Sequence, residues 1–268
     1  MRLKWMAVFM VLATTLLSGC SHSSFMAVST VPAKKDTPVP VPAGHQLLGS
    51  REYINQIQGI ASVNGYRAAL DTLMKDVDKY GKELDHNSYT NIVNFYRLTS
   101  YLIEKNGYVD MKIHYFRNKL NRAPGSLKEL LRLNSTLPPQ RRWRLIPVID
   151  SLYHMQGANG AYNMKFVSGD GFCEAVYNKE GVLLTEKNDP VNMGTFNYAA
   201  GIHEASAHLK YDITPYWQWG NTPDSPQKGK GTIEKGSASA YAHYLLHAAA
   251  VDHYRNSILR VQEPHFPA

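Results

Sequence analysis

The run His208-Leu209-Lys210-Tyr211-Asp212-Ile213-Thr214-Pro215-Tyr216-Trp217-Gln218-Trp219-Gly220-Asn221 holds the densest set of reactive and ring-bearing side chains in the sequence. It brings one histidine and one aspartate together with Tyr211, Tyr216, Trp217 and Trp219, and His203 stands five residues before His208. Such a set suits saccharide chemistry. Rings cover the apolar faces of a sugar, while a carboxylate and an imidazole move protons. His208, Asp212 and His203 are therefore candidate catalytic residues, with His208 and Asp212 as the acid–base pair. Tyr211, Tyr216, Trp217 and Trp219 are candidate binding residues. The same residues could equally form a buried aromatic lid on a sheet, with no chemistry at all.

The other histidines invite a metal reading. His203-Glu204-Ala205-Ser206-Ala207-His208 is close to the zincin pattern, in which two histidines four apart share one helical face with a glutamate between them. Here the spacing is five, which at about 100° per residue carries the second ring off the first one's face. His243 and His247 do fall four apart and could share a metal with Asp252, Asp212 or Glu204. Against that stands a polar edge on an amphipathic helix, and the expectation is no metal and no cofactor. Cys173 is either a nucleophile paired with a histidine or a buried small apolar residue in the strand-like run Gly171-Phe172-Cys173-Glu174-Ala175-Val176-Tyr177.

These residues need elements to hold them. Residues 52–133 read as helices: Ile54, Ile57, Ile60 and Ala61 recur at helical spacing, and Tyr66, Leu70, Leu73, Met74 and Val77 resume it after Gly65. Ser88 opens a further helix through Ile92, Phe95, Tyr96, Thr99, Leu102 and Ile103, and residues 108–120 form another. Ser126-Leu127-Lys128-Glu129 is a capping-box pattern, and Pro138-Pro139 ends the short helix it starts. One more helix is expected over 147–155. The pattern then changes to strands over 162–167, 172–177 and 182–185. Asp170-Gly171 is read as the tight hairpin turn that sets the register of Phe166 and Phe172. Residues 186–236 are rich in turn formers and aromatics, and residues 237–259 carry a broad apolar helical face. The expected fold class is α+β: an N-terminal helical part, a short antiparallel β-meander, an aromatic-rich loop region and a C-terminal helix.

The 268 residues, 44% of them hydrophobic, are enough for a sizeable core, and the formal charge of +7 is modest and scattered. The densest basic cluster, Gln140-Arg141-Arg142-Trp143-Arg144, could meet anionic lipid or a polyanion, or simply be a solvated helix end. No nucleic-acid partner is expected.

The N-terminal run fixes an expected location. Arg2 and Lys4 precede an apolar stretch over residues 5–17 that is shorter than the roughly 20 residues a bilayer span requires. Leu16-Leu17-Ser18-Gly19-Cys20 closes it. The segment resembles the signal and lipobox of bacterial lipoproteins. The resemblance implies a signal peptide over 1–19, removed to expose Cys20, which carries a diacylglyceryl thioether and an N-acyl chain such as palmitate. Several acyl chains hold a protein on a membrane durably. Residue 21 is Ser rather than Asp, which by the same resemblance implies transfer to the outer membrane, facing the periplasm or the cell surface. Residues 21–49, with Pro32, Pro38, Pro40 and Pro42, then read as a Pro/Ser-rich tether that, with Cys20, fills 20–49. A helical region over 50–157 and an α+β region over 158–262 complete the expected organisation.

A second resemblance lies in Tyr162-Asn163-Met164-Lys165-Phe166, Glu174-Ala175-Val176-Tyr177, Asp189-Pro190-Val191-Asn192-Met193-Gly194-Thr195-Phe196-Asn197-Tyr198 and the 211–221 run. Residues 160–225 thus resemble C-terminal modules of bacterial polymorphic and type VI-secreted toxin-like proteins, from which the chain departs by its lipobox. The expected function is an outer-membrane lipoprotein that binds an envelope partner, protein or glycan. An envelope hydrolase using the His208/Asp212 pair is the alternative, and an accessory or immunity lipoprotein of a toxin system is a further one.

Overall fold

A computed structural model describes residues 47–157, 160–198 and 205–224 together with His253, all within the compact unit Val39–Ala268. The signal peptide, Cys20, most of the tether, His203, His243, His247 and the expected final helix lie outside the described residues, apart from His253, which is helical and exposed.

Helix α1 spans Arg51–Tyr80, with Ser50 as its cap accepting from the Tyr53 amide at 3.2 Å. It is not one rod. At Gly65 the backbone leaves helical geometry (φ 87, ψ 163), a conformation that glycine adopts without a Cβ clash. The chain doubles back there, so that the Tyr53 hydroxyl donates to Asp76 at 3.0 Å across 23 residues. A straight helix would separate those residues by about 34 Å. Helix α2, Tyr89–Asn106, is capped by Ser88 and closed by Gly107 in the left-handed region (φ 75). Helix α3, Met111–Leu120, is capped by Asp110, and α4, Leu127–Thr136, carries the capping box of Ser126 and Glu129. Ion pairs join the second half of α1 to α3: Arg67 with Asp110 (2.6 Å), Lys112 with Asp71 (3.4 Å) and Lys119 with Asp78.

The sheet has three antiparallel strands in the order β1-β2-β3: β1, Arg144–Leu145; β2, Met164–Val167; β3, Glu174–Tyr177. The α+β class is therefore as expected, with changes of detail. The first strand comes from the basic cluster. The expected strand over 182–185 reduces to isolated bridges, Tyr177 with Leu183 and Ser126 with Val182. The expected helix over 147–155 is 3-10 over Val148–His154. The hairpin turn falls at Asp170-Gly171, but Phe166 pairs with Ala175 rather than Phe172. The reason is local. Asp170 accepts from the Ser168 hydroxyl (2.5 Å) and the Phe172 amide (2.9 Å), which widens the turn and moves Phe172 out of the ladder. Phe172 stacks instead on Phe196, with ring centroids 5.9 Å apart.

The register gives the sheet two covered faces. Met164, Phe166, Ala175 and Tyr177 point into the main core with Phe95, Tyr96, Leu120 and Phe196. That core runs from Leu48 to Tyr211, across the expected boundary between the helical and α+β regions. Lys165, Val167, Glu174 and Val176 share the opposite face, where Val176 packs with Leu184 and Met193.

Candidate functional site

The segment read as an aromatic-rich loop is helical where it carries the candidate residues. Helix α5 (Ala205–His208) runs through a π-helical turn (Leu209–Ile213) into α6 (Thr214–Trp219). The wide turn has a cause in the sequence. Pro215 lacks an amide and would clash with the carbonyl one turn back in a regular helix. Widening the preceding turn relieves this, and the Thr214 amide donates to the Leu209 carbonyl.

This geometry puts His208 and Asp212 on one face, four residues apart. His208 Nδ1 lies 3.6 Å from Asp212 Oδ2, beyond a hydrogen bond, and the His208 side chain is 35% exposed. The other carboxylate oxygen of Asp212 is held by Arg117 of α3, whose side chain is 2% exposed. Arg117 also donates to Asn221 Oδ1 at 2.8 Å. Asn221 in turn donates to the Pro190 carbonyl at 3.0 Å and accepts from Asn118 at its own carbonyl at 2.8 Å. One turn before Arg117, buried His114 donates from Nε2 to the Gly220 carbonyl at 2.5 Å. Burial and then the Arg117 charge push His114 down to about 2, so the ring stays neutral. The result is a junction in which a buried cation, a carboxylate, two asparagines and a neutral imidazole lock the 205–221 segment onto α3.

The four candidate binding rings turn toward the protein. Tyr211 is buried at 7%, and its hydroxyl donates to the Glu104 carbonyl at 3.4 Å. The Tyr216 hydroxyl accepts from Gln156 (3.1 Å) and donates to the Val191 carbonyl (3.3 Å). Trp219 packs on His114 with centroids 5.5 Å apart, and its carbonyl accepts from the Tyr115 hydroxyl. Trp217 is half-buried, with its ring nitrogen out of contact with water and without an acceptor among the described residues.

A second charged group sits on the far face of the sheet. Glu174 is buried, with Lys165 Nζ at 2.6 Å and His154 Nε2 at 3.3 Å. Burial alone would raise its carboxyl. The facing Lys165 and His154 outweigh burial and hold it well below the usual carboxylate range. His154 Nδ1 contacts the Asn192 carbonyl at 3.1 Å, so both ring nitrogens face protein oxygens. The Asn192 side chain continues the network to the Gln156 amide (2.7 Å) and Asp189 (2.8 Å), and Gln156 reaches Tyr216. This network ends at the Val191 carbonyl, next in sequence to the Pro190 carbonyl that accepts from Asn221.

Cys173 is fully buried and 3.4 Å from the Tyr96 hydroxyl. Burial pushes its thiol up to about 12, which leaves no thiolate for nucleophilic chemistry. Among the described residues, no three His, Cys, Asp or Glu side chains lie close enough to hold a metal ion, and no helix is long and apolar enough to cross a membrane.

Arg117, His114, Lys165, Glu174 and His154 were not candidates on sequence grounds. A signal existed for some of them. Arg117 falls on the apolar stripe of Ile113, Phe116 and Leu120, and Glu174 interrupts an apolar strand one turn of the hairpin from Lys165. A charge at such a position demands a buried partner. Comparison with family models, with curated proteins and with solved structures finds no match to this chain.

Proposed function

We propose that the chain is a lipid-anchored outer-membrane protein whose folded body binds an envelope partner, protein or glycan, without chemical turnover. The lipobox-like run ending at Cys20 supports the anchor. The observation that carries the binding reading is the pairing of Asp212 with buried Arg117. A carboxylate held by a buried guanidinium at the junction of two segments is fixed in a structural contact and is not free to approach a substrate. The Glu174 group supports the same reading, because His154 has protein oxygens at both nitrogens and neither is left for a substrate.

A hydrolase reading has one observation in its favour. Asp212 Oδ2 faces His208 Nδ1 at 3.6 Å, a small movement from the carboxylate–imidazole contact of a general base, and His208 reaches solvent.

The anchor is tested by Cys20→Ala in cells fed radiolabelled palmitate. The expected result is an unlabelled, unprocessed precursor and loss of the protein from outer-membrane fractions. Normal labelling and processing of that variant would refute the anchor.

A further inference from the structure

The first half of α1 and helix α2 run side by side and leave an open groove of about 250 Å³ between them. It is lined by Ile54, Gln58, Asn94, Arg97, Leu98 and Tyr101. The positions repeat at one helical turn, i and i+4 on α1 and i, i+3, i+4 and i+7 on α2, so each helix gives one continuous face. Ile54, half-buried, supplies apolar surface over the buried Leu98. Gln58, Asn94 and Arg97 make no side-chain hydrogen bond or ion pair with another described residue. Among the described residues of the lining, Arg97 is the only charged one. Tyr101 is 41% exposed; its ring makes an edge contact with Tyr66 at 6.0 Å, and the Lys105 ammonium lies over it at 5.6 Å from the centroid.

We propose that this groove is a saccharide subsite that takes one carboxylate-bearing sugar residue within a glycan strand. The proposal rests on the binding reading above and names its ligand class. The chemistry points one way. The exposed part of the Tyr101 ring beside Ile54 covers an apolar sugar face. Two side-chain amides offer donors and acceptors together, as neighbouring hydroxyls require. A guanidinium with no ion-pair partner among the described residues matches a carboxylate through paired hydrogen bonds. The size fits one sugar unit, being below the roughly 300 Å³ at which pockets for drug-sized ligands begin. Because the groove is open, the strand can continue past it on either side.

The test uses the full lipidated chain in detergent micelles and fluorescein-labelled probes read by anisotropy. The first probe is a tetrasaccharide of alternating N-acetylglucosamine and N-acetylmuramic acid, which carries carboxylates. The second is chitotetraose, its neutral counterpart, and the third is hexaglutamate. The expected result is saturable binding of the carboxylated tetrasaccharide. Arg97→Gln should weaken it about tenfold, toward the level of chitotetraose, the loss of about one charge-assisted contact. Tyr101→Ala should weaken both saccharides about tenfold, and Lys128→Gln, the same charge change on α4, should weaken neither. Circular dichroism should show all three variants folded, since each replaced side chain is exposed.

Equal affinity for the two saccharides, or indifference to Arg97→Gln, would overturn the subsite. An equal loss in Lys128→Gln would do the same by exposing a diffuse charge effect, as would Arg97-dependent binding of hexaglutamate at equal strength. If the intact protein in micelles still sediments with lipid-extracted envelope protein and glycan in those cases, the binding reading stands and only the subsite falls. If it binds neither saccharide nor envelopes, both fall.

Discussion

Arg117 and Asp212, 95 residues apart in sequence, form an ion pair at the junction of α3 and the π-helical turn, with side chains 2% and 13% exposed. The pair explains why a segment dense in reactive side chains is held as a structural strut. Its desolvation cost is offset by Coulomb attraction and by the further hydrogen bond from Arg117 to Asn221.

Removing one partner should be costly. Arg117→Met leaves Asp212 without its cation and should lower stability by about 3–5 kcal/mol. The double variant Arg117→Met/Asp212→Leu removes both charges and should recover a large part of that loss. Urea unfolding of the singles and the double gives the coupling. Additive losses, or a single variant as stable as the wild type, would show that the two side chains do not depend on each other.

Acid should destabilise the fold in two stages. His114 is depressed from 6.5 to about 2 by burial and the Arg117 charge. The unfolded chain therefore takes up that proton first, so the stabilisation is complete above pH 6.5 and is lost as pH falls below it, by up to about 1.4 kcal/mol per pH unit. Glu174 is likewise depressed from 4.5, and its contribution is lost at lower pH, beginning near 4.5. Melting temperature between pH 7.5 and 3.5 reads both. His114→Gln should flatten the slope from pH 6.5 to 5, and Glu174→Gln should flatten only the part below about 4.5. A wild-type midpoint constant from pH 7 to 5 would contradict the assignment of His114 as a buried neutral ring.

The hairpin between β2 and β3 turns at Gly171 with φ 82. Gly171→Val should destabilise by about 1 kcal/mol or more, since a β-branched residue resists positive φ. An unchanged melting midpoint would mean that the turn adapts without strain.

The parts of this fold legible in sequence are those written in neighbouring residues. Ser88, Ser126 with Glu129, and the break at Gly65 mark helix ends by local hydrogen bonding and backbone freedom. Strand β1 is two residues long and lies in a basic cluster, so no alternation reveals it. The helix over 205–219 was masked by Pro215 and by the four rings, which read as loop composition until the π turn is seen to accommodate the proline. The Arg117–Asp212 pair and the Glu174 group depend on contacts between distant segments, which no local pattern encodes. The charged residue on an apolar stripe was the only trace they left.

Binding without turnover can be read in a single assay. Purified lipidated protein is incubated with radiolabelled envelope glycan, and the bound fraction and the released soluble fragments are counted together over time. Saturable binding is expected, with no fragments above the protein-free control, unchanged in His208→Ala. Steady release of fragments by the wild type that disappears in His208→Ala would contradict it and establish the histidine as a general base.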